Sequence, residues 1–341
     1  MRFSLPVLLC ALSLIITARA TACCAVAAHG VPVVNADQTV IMLWDKDQQT
    51  EHFIRKASFR AEGDSLGFLV PTPTRPQLEE SGNAAFPYLA QITAPKVSEG
   101  VGLPIGCSAT PQTGLTRRVQ VIEEKDVAGY HAVVLAADSG KALVEWLRDH
   151  DYAYTPEAAA WAQPYLEGHW YMTAMKVAKE GVGGAKAGVA ASALRITFHT
   201  DHPLFPYREP DSRENAAKLG VTDRLLRIYF VGESRYEGRF PSGQSWEGRA
   251  RWSQPLATEQ RAQLLRHLGL PESTGPARYW LTEFDDHWPY GKPPGDVYFA
   301  PSASQRKLAA DVPVTFDLNL MLAVGLVLAR PLFRRGYGSR R

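Results

Sequence analysis

The feature that most restricts the fold of this chain is a succession of short β-branched and aromatic runs, each closed by turn residues or proline before it can become a helix. Residues 38–43, 52–61 and 67–70 are three such runs, separated by Asp45-Lys46-Asp47 and by Glu62-Gly63-Asp64-Ser65. They predict consecutive antiparallel strands. Pro71, Pro73 and Pro76 then impose an extended exit that cannot continue a sheet ladder. The same alternation predicts strands over 117–123, 131–135, 170–177, 193–199, 224–231, 278–284 and 297–300, and the glycine-rich stretch 181–188 reads as a hairpin loop.

Three helices interleave with these strands. Residues 141–149 follow Asp138-Ser139 and carry Leu143, Trp146 and Leu147 on one stripe. A second helix starts at Pro156 and runs towards Gln163, with Pro164 expected to interrupt or end it. In the third, Thr258 is the expected N-cap, Leu264, Leu265 and Leu268 face inward and Gly269 is the stop. The expected class is therefore α+β: strand-rich, mostly antiparallel sheets with a few amphipathic helices. A strand, strand and proline-rich exit at 38–76 recurs at 170–210, as two related halves would show.

Both ends carry membrane signals. Met1-Arg2 and an apolar run over 3–16 have the length of a signal-peptide core, too short to span a bilayer. Ala18-Arg19-Ala20 and Ala20-Thr21-Ala22 offer cleavage after Ala20 or Ala22, so residues 1–22 read as a signal peptide. Cleavage after Ala22 would expose Cys23, the position a lipoprotein uses for its lipid. Near the other end, 318–329 is apolar apart from Asn319, and Arg330, Arg334, Arg335, Arg340 and Arg341 follow. This predicts a transmembrane helix over 314–333 and a basic cytoplasmic tail over 334–341, because basic flanks stay inside. A buried C-terminal helix is the alternative, since an apolar core of about 12 residues is ordinary in a soluble protein. The expected location is the periplasmic or cell-surface side, anchored in the cytoplasmic membrane, with a body over 23–235 and a C-terminal extension over 236–311.

Thirty-seven Lys+Arg against 35 Asp+Glu, without a long run of one sign, argue against a nucleic-acid partner. Of the four cysteines, Cys10 leaves with the signal peptide. In an oxidising compartment Cys107 is expected to pair with Cys23 or Cys24, because adjacent cysteines rarely bond to each other. Their spacing matches no standard zinc pattern, and nothing in the sequence calls for a cofactor.

Several segments together resemble a known family: Cys23-Cys24, residues 34–40, the strand 50–60, the exit 67–76, residues 130–135 before the Trp146 helix, and His169-Trp170-Tyr171 followed by 194–198. Over roughly residues 23–235 the chain is similar to the bacterial domain-of-unknown-function family 2330. That resemblance implies an exported or membrane-attached protein and carries over no catalytic residue.

Three constellations bear on chemistry. Gly63-Asp64-Ser65-Leu66-Gly67 fits both the G-x-S-x-G and GDSL patterns, with Asp286 and His287 as partners for a Ser65 nucleophile. Such a serine needs a sharp turn into a helix, whereas a strand and prolines follow here, so a hairpin turn accounts for the motif. His199, Asp201 and His202 place three possible metal ligands in four residues, against the simpler reading of a polar turn before Pro203. Tyr279, Trp280, Trp288, Tyr290 and Trp246 could stack on a sugar or a proline-rich peptide, although aromatics more often fill cores. The sequence therefore favours a non-enzymatic, membrane-attached interaction or envelope-structure module, with a protein or envelope polymer as partner. A secreted serine or metal-dependent hydrolase is the alternative.

Overall fold

The computed structural model describes residues 24–27, 33–56, 58–61, 66–95, 120–150, 152, 156–177, 192–290 and 293–309. Residues 1–22, expected to be a signal peptide, and Cys23, Ser65, Cys107, the expected loop at 181–188 and the segment 314–333 lie outside the described residues. Among the described residues no helix is long and apolar enough to cross a membrane.

Two sheets form the centre. One has the order β1 (Cys24–Ala27), β6 (Leu66–Thr72), β10 (Tyr171–Val177), β9 (Tyr130–Ala136) and β8 (Gln120–Val127), all antiparallel. The other has the order β15 (Arg249–Pro255), β16 (Trp280–Pro289), β13 (Asp223–Gly232), β3 (Gln38–Asp45), β4 (Thr50–Arg55), β11 (Leu194–His199) and β7 (Gln77–Glu80). Its β13–β3 pair is parallel and its remaining pairs are antiparallel. Smaller sheets of β12 (Leu204–Phe205), β17 (Val297–Pro301) and β14 (Tyr236–Arg239), and of β2 (Val33–Asn35) with β5 (Phe59–Ala61), extend them.

Strand alternation divides the apolar residues between layers. Val40, Met42, Phe53, Phe68, Val70, Met175, Ile228 and Phe284 meet between the two main sheets. Leu69, Val133, Leu135 and Met172, on the opposite face of the five-stranded sheet, pack on α2 (Gly140–Asp149) and α3 (Pro156–Glu167) through Leu143, Trp146 and Trp161. Ile41, Ile54, Val231 and Leu281, on the outer face of the seven-stranded sheet, pack on α1 (Ala85–Thr93) and α5 (Thr258–Leu268) through Leu89, Leu264 and Leu268. The result is a four-layer sandwich, helix on sheet on sheet on helix. The short α4 (Arg213–Lys218) sits beside β2.

Several local expectations are corrected. The third of the early strands, β6, does not continue the β3–β4 hairpin; it crosses to the other sheet. Pro71 lies inside β6 opposite Met172, beyond the end of β1 pairing, where the strand has a neighbour on one side and a missing N–H is tolerated. Pro164 does not end α3, which runs three residues further to Glu167. Thr258 is the first residue of α5 rather than its cap; Ala257 holds the cap position and donates its N–H to Gln260 Oε1 at 2.9 Å. Ser139 does cap α2, its Oγ accepting from Ala142 N at 3.2 Å.

The proposed halves interleave. β4 from the first segment pairs with β11 from the second, and β6 from the first pairs with β10 from the second, so each supplies strands to both sheets. Beyond residue 235, β15 and β16 complete the same sheet as β3 and β4, so residues 236–311 contribute to the main body.

Candidate functional site

The outer face of the seven-stranded sheet changes character along β13 and β16. Val231, Tyr229 and Leu281 lie under α1 and α5. Two-residue alternation carries the same face on to Arg227, Glu283, Asp285 and His287, where charge replaces apolar packing. Register sets Arg227 opposite Asp285 and Leu225 opposite His287, with Arg249 across from Asp285 on the other side.

Arg227 organises this patch. Its Nε and Nη2 donate to the two Asp285 carboxylate oxygens at 2.8 and 3.1 Å, and Glu283 Oε1 lies 2.8 Å from the same Nε. The hydrogen bond that Arg227 donates to Asp285 is the main cause that holds it above the ordinary guanidinium range. Burial pushes the Glu283 carboxyl up, against the opposing pull of the Thr93 hydroxyl and of Arg227. Burial, and after it the nearby Glu283, pushes the Tyr229 phenol up to about 12. Two open clefts meet at this ion pair. One, of about 630 Å³, includes Asp37, Lys56, Asn83, Phe86, Arg227 and Tyr229 in its lining. The other, of about 700 Å³, is lined by Glu247, Arg249, Arg251, Asp285, Asp286 and His287.

Asp286 and His287 both reach the second cleft but point to opposite faces of β16. His287 is exposed, whereas Asp286 is 3% exposed and turns inward. Tyr207 Oη and Trp246 Nε1 both donate to Asp286 Oδ2, at 2.6 and 2.9 Å. Burial pushes its pKa above the usual carboxylate range, and these two donors partly offset it. Asp286 is thus an acceptor that fixes two aromatic residues in the inter-sheet layer.

His199 closes β11, its Nδ1 3.1 Å from Thr50 Oγ1, and its backbone exchanges two hydrogen bonds with the Thr74 hydroxyl. Asp201 and His202 are exposed in the bend that follows, where Thr200 Oγ1 donates to the His202 carbonyl. The three residues do share an open cleft of about 540 Å³ with Thr74, Trp170 and Tyr298. Among the described residues, no group of three or more His, Cys, Asp or Glu stands close enough to hold a metal ion. The aromatic set also separates: Trp246 and Trp288 fill the inter-sheet layer, Tyr279 the outer one, and Tyr290 packs by Val34 and Ala216.

Sequence reasoning passed over the Arg227–Glu283–Asp285 group and a buried counterpart on the other face of β13. There Arg224 donates to Glu209 Oε2, Asn35 Nδ2 donates to Glu209 Oε1 at 2.8 Å, and the Arg224 guanidinium lies 3.9 Å above the Trp288 ring. The available signal was the odd spacing of Arg224 and Arg227 in an otherwise apolar strand. It sends one arginine to each face, and a buried arginine requires a partner.

The fold and this edge define a strand-rich four-layer α+β body with a charged, open rim. The model of a bacterial family described as "Uncharacterized protein conserved in bacteria (DUF2330)" matches residues 17–292, and the chain belongs to that family. The match extends past the 23–235 span of the sequence resemblance and takes in β15 and β16, hence the charged rim. No curated protein and no solved structure matches the chain.

Proposed function

We propose that this protein is an exported module held at the membrane by residues 314–333, and that it binds a partner through the β15–β16 rim instead of catalysing a reaction. One observation carries the binding reading. Arg249, Arg251 and His287 are exposed at a sheet edge beside one exposed acid, Glu247, while the other nearby acids are engaged, Asp285 and Glu283 by Arg227 and Asp286 by Tyr207 and Trp246. Donors left over in this way favour an anionic surface over a reacting centre. The location is supported by the apolar run at 3–16, the small residues before Cys23, and the five arginines that follow residue 329.

The test has two arms. A phosphatase fused after Arg341 is expected to be inactive and a fluorescent protein there active, as a cytoplasmic tail requires; active phosphatase overturns the anchor. The hydrolase alternative is read by a serine-reactive fluorophosphonate on purified protein. Labelling that Ser65→Ala abolishes would replace the binding reading with an enzymatic one.

A further inference from the structure

The last described residues are fastened to the same rim. Ser253 of β15 and Leu308 exchange two backbone hydrogen bonds, 3.0 and 2.8 Å, in an antiparallel bridge. Gln254 Nε2 adds a bond to the Leu308 carbonyl, and Arg235 Nη1 holds the Arg306 carbonyl at 3.0 Å. Gln305 is tied in turn to the Arg235 backbone on both its amide atoms. Because the bridge is antiparallel, the chain at Ala309 heads towards the Arg251 end of β15. Eight residues, 310–317, separate it from Leu318, the start of the apolar run, and cover at most about 28 Å when extended. Arg249, Arg251, Arg306 and Lys307 are all exposed, and none has an ion-pair partner among the described residues.

We infer that this basic strip docks on the anionic phospholipid headgroups of the membrane in which the chain is anchored, an inference that rests on the anchor proposed above. The exit of the chain brings the strip within reach of the headgroup layer. Its unpaired guanidinium and ammonium groups match phosphate in sign and hydrogen-bonding geometry. Two basic residues before the apolar run, against five after it, leave the orientation set by the tail. The domain then lies with its β15 edge against the bilayer.

The experiment uses the full chain in nanodiscs of phosphatidylcholine, with or without phosphatidylglycerol, and follows trypsin cleavage after Arg306 and Lys307. Cleavage is expected to be several-fold slower with phosphatidylglycerol. High salt should remove that protection by screening, and Arg249→Gln/Arg251→Gln should reduce it while leaving the circular dichroism unchanged. Equal rates in both lipids, from a chain that co-elutes with the discs, overturn the inference and leave the strip to an acidic protein partner. Protection that the double variant leaves intact overturns the part given to β15. A chain that co-elutes with neither disc overturns the anchor, and the inference with it.

Discussion

The Tyr207 hydroxyl donates to Asp286 Oδ2 at 2.6 Å, and the Trp246 indole donates to the same oxygen at 2.9 Å. Asp286 is thereby the hub of a buried trio joining the segment after β12, the loop before β15 and strand β16. Replacing it with Ala leaves two buried donors without an acceptor, at about 1–3 kcal/mol each. Urea unfolding of Asp286→Ala should show a large loss of stability, with Asp286→Asn retaining part of it. A variant as stable as the parent would remove the structural role.

Arg224 and Glu209 form a fully buried ion pair, with the guanidinium also lying over Trp288 and Tyr290. Glu209→Ala should cost about 3–5 kcal/mol because it strands a buried charge, whereas an apolar replacement of both partners should cost much less. A double-mutant cycle in chemical denaturation measures the difference.

Glu51 faces the inter-sheet layer with 0% exposure. Its Oε2 accepts from Leu204 N at 2.9 Å, while Oε1 has no hydrogen-bond partner among the described residues. Burial pushes its pKa well above the ordinary carboxylate value. The folded state therefore holds this proton more tightly than the unfolded chain does. The associated stability is complete below the unfolded value and is lost as pH rises through the folded one, with a slope of up to about 1.4 kcal/mol per pH unit. Melting temperatures at pH 5 and pH 8 should differ less in Glu51→Gln than in the parent.

His52 has the opposite sign. Its Nδ1 meets Thr197 Oγ1 at 2.9 Å, and burial, with Arg195 nearby, lowers its pKa to about 4. Being neutral in the fold, it contributes stability above pH 6.5 that drains away as pH falls towards 4. An NMR titration should find the His52 ring unprotonated at pH 5.5.

Trp246 is clasped by two glycines. A Cβ on Gly238 would come within 2.6 Å of Trp246 Cε3 and 2.7 Å of Val297 Cγ1, and a Cβ on Gly248 would collide with the same indole. Gly238→Ala and Gly248→Ala should each destabilise the protein by about 1–3 kcal/mol through overpacking. Thermal melts of the two variants, along with their tryptophan fluorescence, check this.

The single run expected over 52–61 divides into β4 and β5 in different sheets, whereas local patterning was sufficient for the strand-rich class, for β3, β9, β11 and β13 close to their ends, and for the Leu264/Leu265/Leu268 stripe of α5. Each of these reports period and turn chemistry within ten or so residues. It missed β15, whose Arg249-Ala250-Arg251-Trp252 carries a bulge that breaks the period, and α1, whose Pro87 disguises a first turn. The family likeness is likewise a property of the linear chain, as is the pattern from which export is proposed. Partners are not. Whether Asp286 would face His287 or Tyr207, and whether Arg227 would find Asp285, depended on which strands lie side by side. Pairing across 58 residues between Arg227 and Asp285, or 79 between Tyr207 and Asp286, is fixed by burial of both sheet faces at once, and no local window contains that constraint.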